Sequence, residues 1–102
     1  MKKLNKMITK EFLLSIGFWE AGETYLPDWY GIFETETETE TSETFEFWEG
    51  ERVLTIYLSP KGPIGQYHET EFMDWLEYFK LETREDVIQE INNRFDVEIA
   101  AP

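Results

Sequence analysis

Residues 34–44 read ETETETETSET and carry carboxylates at Glu34, Glu36, Glu38, Glu40 and Glu43. Three kinds of chemistry use carboxylates at such density: cation binding, acid–base catalysis, and display of negative charge to a basic partner. A tight calcium loop mixes Asp, Asn and Gly so that its oxygens converge on one ion, whereas alternating residues of a strand project in parallel. Weak cation association is all this run supports. Glycoside hydrolysis needs two carboxyl groups facing each other across a cleft, and no motif here marks such a pair. The chain has no Gly-x-Ser-x-Gly elbow and no cysteine to work with a histidine. His68, the one histidine, cannot build a zinc site alone and reads as a residue at the surface or at the start of a helix. No catalytic residue, metal ligand or cofactor site is assigned, and the chain reads as non-enzymatic.

The display of charge is the chemistry that remains. The 102 residues contain 9 basic and 22 acidic side chains, a formal net charge of −13. Four of the lysines, Lys2, Lys3, Lys6 and Lys10, fall within the first ten positions, so the body of the chain is still more acidic. Such a surface repels phosphate, which disfavours direct binding of nucleic acid or of an anionic membrane and favours a basic protein. Absence of cysteine fits a reducing compartment. The apolar run FLLSIGFW is short and bounded by Glu11 and Glu20, unlike a secretory leader, and no stretch reaches the ~20 apolar residues of a membrane span. A cytoplasmic protein is expected.

These carboxylates need elements to hold them. Hydrophobic residues make up 41% and aromatics 17%, enough apolar material for one folded domain over 1–102, with 1–7 and 100–102 as flexible tails. Thr9 caps a short helix whose apolar face is Phe12, Leu13 and Ile16; Ile8 can staple it and Gly17 can end it. Aromatic and β-branched residues then dominate. Glu49-Gly50 reads as the turn of a hairpin, with Phe45 and Phe47 on one face of the first strand and Leu54, Ile56 and Leu58 on one face of the second.

The repeat can be placed against that hairpin. With a fold-back near Thr39, Phe33 stands opposite Phe45 and Gly31 opposite Phe47, so the repeat becomes the distal half of a long hairpin. Carboxylates on one arm are then about 6.6 Å apart and repel by only ~0.6 kcal/mol in water. The alternative is a solvated loop between two strands. Aromatics are numerous enough that Trp29, Tyr30, Trp48 and Tyr67 are candidates for exposed interface anchors.

The segment SPKGPIG, 59–65, lacks the Gly-Lys-Ser/Thr ending of a phosphate loop and reads as a connector that ends the sheet. Over 70–81 the stripe Phe72, Met73, Trp75, Leu76 and Phe79 predicts a helix. Thr83 with Asp86 forms a capping box for another, carrying Val87, Ile88, Ile91 and Phe95, with Glu90 and Arg94 as an i,i+4 pair. The expected class is therefore α+β: a short N-terminal helix, an antiparallel meander of three to four strands, and two C-terminal helices packed on one face.

The acidic body, the missing cysteines and the segment ETETETETSETFEFWEGERVLTIYL resemble, in type, the small acidic accessory proteins of bacteriophages and mobile elements. Carboxylates at every second strand position would present charge at a spacing broadly like successive phosphates, so the acidic rows read as a nucleic-acid mimic that inhibits a basic nucleic-acid-binding protein or nuclease; the resemblance implies the same kind of inhibitor, and bacterial immunity proteins against nuclease toxins look much the same. It carries over no functional residue. Partner-binding residues are expected at Glu34, Glu36, Glu38, Glu40, Glu43, Trp29, Tyr30 and Trp48. Two alternatives stand beside it: a homo-oligomeric structural or interaction module, and a small carboxylate-dependent hydrolase.

Overall fold

The computed structural model of the chain describes residues 7–25, 41–59, 62–69, 75–95 and 97. They form α1 (Lys10–Ser15), β1 (Trp19–Tyr25), β2 (Thr41–Glu49), β3 (Arg52–Ser59), β4 (Gly62–Glu69), β5 (Trp75–Lys80) and α2 (Arg84–Arg94). The strands make one antiparallel sheet in the order β1-β2-β3-β4-β5, a meander in which every strand pairs with its neighbour in sequence. Apart from Met7, the expected tails fall outside the described residues.

Both helices begin as their cap residues dictate. The Thr9 side chain accepts from the Phe12 N–H, and Gly17, at φ 110°, follows the last turn of α1. Thr83 and Asp86 form the reciprocal capping box of α2: the Asp86 N–H donates to Thr83 Oγ1 at 3.2 Å and the Thr83 N–H to Asp86 Oδ2 at 3.0 Å.

Two parts of the expected class are overturned: among the described residues the sheet has five strands, and one C-terminal helix follows it. Residues 75–80, expected in a helix, are β5. The reason is that β5 packs on both faces of the sheet. Phe79 joins the main core and Tyr78 a second cluster on the opposite side, so the apolar pattern loses its period of two and mimics a helical stripe. Its aromatic residues nonetheless favour a strand. The expected connector over 59–65 instead contains the start of β4, because Gly62 and Gly65 serve a strand. A Cβ on Gly65 would lie 2.3 Å from Phe79 Cε2, so the missing side chain is what lets the Phe79 ring lie against β4.

The β2–β3 hairpin is as expected except that its loop is Gly50-Glu51, closed by Glu49 opposite Arg52, one residue later than Glu49-Gly50. Gly50, at φ 61°, takes the left-handed conformation that such a tight loop needs. The long hairpin is corrected as well. Phe45 lies between Glu20 and Ile56, with Glu20 where Phe33 was expected, because β2 takes β1 as its partner on that side. Between Glu20 and Gly22 the pairing shifts by one residue, a bulge in the edge strand.

Phe45, Leu54, Ile56 and Tyr67 on one face of the sheet form a single cluster with Phe12 and Leu13 of α1 and Val87, Ile88 and Ile91 of α2. The N-terminal helix and the described C-terminal helix therefore share one side of the sheet, in place of the expected pair of C-terminal helices. On the outer face Val53, Thr55 and Tyr57 are buried too, with Ile64 beside Tyr57.

Candidate functional site

Of the eight expected partner-binding residues, Glu34, Glu36, Glu38, Glu40, Trp29 and Tyr30 lie outside the described residues. Glu43 and Trp48 are described, and β2 sends them to opposite faces of the sheet. Glu43 shares the helix-bearing face with Phe45 and Phe47, whereas Trp48 alternates outward. The aromatic and the acid that the sequence grouped are not brought together.

A different group is. Trp19 opens β1 directly opposite Glu46 of β2. The pair Glu46 and Trp48, two residues apart, share the outer face, and the Trp48 Nε1–H donates to Glu46 Oε1 at 2.9 Å. Trp19 is 60% and Trp48 46% exposed, the two tryptophans among the exposed large hydrophobics of the described residues. Two indoles thus flank one carboxylate that is fixed by one of them. Neither Trp19 nor Glu46 was singled out from the sequence. A signal existed: in FEFWE the buried Phe45 and half-buried Phe47 alternate with Glu46 and Trp48, and Phe18 is buried where Trp19 next to it is exposed.

The helix-bearing side of the same two strands is acidic. Glu23 stands directly opposite Glu43, and both are exposed. Like charges so placed are mildly destabilising and persist only where water screens them. Lys10 of α1 reaches Glu20 at 3.2 Å, and its ammonium pKa is raised, first by that hydrogen bond and then by the field of Glu20, with Glu43 and Glu11 adding to it.

The far corner of the helix-bearing face is built in the opposite way. The Arg94 guanidinium lies over the Tyr67 ring, 4.5 Å from its centroid, and over the Phe79 ring at 5.1 Å. It pairs with Glu77 through two bonds of 2.9 and 3.0 Å, and its Nε donates to Glu90. Arg52 donates to the Arg94 carbonyl at 2.9 Å, tying β3 to the end of α2. Burial works against the charge on Arg94, but the two glutamates outweigh it and hold its pKa above the ordinary value. In return the Arg94 hydrogen bonds hold the Glu77 carboxyl below its usual range. Tyr67, expected as an exposed anchor, is buried here; its hydroxyl donates to Glu69, and its pKa is pushed up to about 12, first by burial and then by that carboxylate. An open cleft of about 510 Å³ lined by Arg52, Tyr67, Glu69, Asn93 and Arg94 adjoins this corner. Its arginines are engaged within the protein, so the corner joins helix to sheet.

His68 lies in β4 opposite Val53 and Leu76, which corrects its expected place at a helix start. Among the described residues no group of three or more His, Asp or Glu side chains could hold a metal ion, and no helix is long and apolar enough to cross a membrane. No known family, curated protein or solved structure matches the chain.

Proposed function

We propose that the protein is a non-enzymatic acidic module that binds a basic protein through its β1–β2 edge. One observation carries this reading: Trp19 and Trp48 stand exposed on either side of Glu46 on the strand pair that also carries Glu20, Glu23 and Glu43. Exposed tryptophans are the residues that anchor interfaces, because each buries a large area for little rotamer freedom lost. The surrounding carboxylates and the net charge of −13 select a cationic partner and steer it at long range. A nucleic-acid-binding protein or nuclease, whose basic groove would accept carboxylates in place of phosphates, is the partner class we favour. The likeness in type to accessory proteins of bacteriophages and mobile elements belongs to the same proposal, as does a cytoplasmic location.

The immobilised chain, presented with a cell lysate, tests the reading through two variants. One is Trp19→Thr with Trp48→Thr, which keeps strand propensity; the other is Gln at positions 20, 23, 43 and 46. A basic protein retained by the wild type, released by high salt and lost from both variants supports the proposal. Equal retention by all three contradicts it.

A further inference from the structure

We infer that the outer edge formed by Trp19, Glu46 and Trp48 receives an arginine side chain of the basic partner, an inference that rests on the function proposed above. The molecule contains the completed form of the same arrangement. At the inner corner two rings, Tyr67 and Phe79, and a bidentate carboxylate, Glu77, surround the guanidinium of Arg94 at centroid distances of 4.5 and 5.1 Å. At the outer edge two exposed rings stand with a half-buried carboxylate, and among the described residues no guanidinium lies with them. The parts match; the cation is what a partner would bring.

The geometry favours arginine over other occupants. Trp48 Nε1–H holds Glu46 Oε1 at 2.9 Å, so the carboxylate is fixed at the edge of an indole before a ligand arrives. A planar guanidinium can stack on that indole while its N–H groups reach the carboxylate. A lysine ammonium offers a compact, strongly hydrated charge that stacks poorly. A purely apolar partner would bury Glu46 unpaired, and a second copy of this chain would bring another net charge of −13 to an already acidic edge. Phosphate is repelled for the same reason.

Calorimetric titration of the full chain with three synthetic peptides decides the matter. The peptides alternate Ser with Arg, Lys or citrulline and are otherwise identical. The arginine peptide should bind about fivefold more tightly than the lysine peptide, the factor set by a cation stacked on an exposed indole, and citrulline should abolish binding. Glu46→Gln and the Trp19→Thr/Trp48→Thr pair should bring the arginine-to-lysine ratio close to one. Trp48→Phe, which keeps a ring but removes the Nε1–H, should leave part of the preference and guards against a folding defect in the threonine variants. Gln at Glu20, Glu23 and Glu43, on the other face, should weaken both cationic peptides alike. Equal, salt-sensitive affinity for the two cationic peptides overturns the arginine inference and leaves the basic-partner reading intact. An arginine preference that survives loss of both indoles overturns the location. Failure of both cationic peptides to bind overturns both readings.

Discussion

Two regions of this molecule use the same materials to opposite ends. At the inner corner Arg94 is enclosed by Tyr67, Phe79, Glu77 and Glu90, and the aromatic rings and acids there are consumed in fastening α2 to β4 and β5. At the outer edge Trp19, Glu46 and Trp48 present rings and a carboxylate to solvent. The difference lies in where a scarce resource is placed. Arg84 donates to the Met7 carbonyl and lies over Phe12, Arg52 donates to the Arg94 carbonyl, and Arg94 closes the corner. All three arginines of the chain are thus held on the helix-bearing side. An acidic protein that commits its arginines to one face leaves the other face to be completed from outside.

The contrast can be broken most strongly at Arg94. Replacing Arg94 by Ala leaves Glu77 and Glu90 without their cation and removes the stem packed on two rings. Their side chains are 44% and 28% exposed, so the loss should fall below that of a fully buried pair, about 2–3 kcal/mol by chemical denaturation. Gly65→Ala attacks the same corner by pushing Phe79 away, and a destabilisation of about 1–3 kcal/mol is expected if the ring and strand shift to admit the Cβ. A change within ±0.5 kcal/mol would show that Phe79 is not confined there.

The pH dependence sharpens the comparison. The depressed pKa of Glu77 contributes stability that is present above the unfolded glutamate value of 4.5 and is lost as pH falls through the folded value. Melting temperature should therefore drop on acidification, and drop less in Arg94→Ala. At the alkaline end the raised pKa values of Tyr57 and Tyr67, about 12 each, give stability that is full below 10 and lost as pH rises through 12. A spectrophotometric titration should find Tyr57 and Tyr67 ionising late, with Tyr78 also raised by burial; ionisation of all tyrosines near 10 would contradict their burial. The smallest effect belongs to the outer edge, where Trp19→Thr and Trp48→Thr should each change stability by about 0.5 kcal/mol or less while weakening binding.

The sequence conveyed local features better than remote ones. The caps at Thr9 and Thr83 and the hairpin of Phe45 and Phe47 against Leu54 and Ile56 were legible, because each depends on residues a few positions apart. By contrast β4 was hidden by Gly65, whose reason for being glycine is the Phe79 ring on the neighbouring strand. Likewise β5 was hidden because Tyr78 and Phe79 pack on opposite sides of the sheet, which erases alternation. At the candidate site Trp48 alone was read as an anchor. Glu46 was passed over although strand alternation puts it on the same face as Trp48, and Trp19 was passed over because no local pattern shows that it stands across from Glu46.

The most direct measurement follows the indole N–H and arginine Nε–H resonances in a nitrogen–proton spectrum while the arginine peptide is added. The account predicts saturable shifts at Trp19 and Trp48, lost in Glu46→Gln, with the Arg94 signal unmoved. Shifts at Arg94 with Trp19 and Trp48 unchanged would contradict it, for the protein would then receive its partner at the corner we assign to structure.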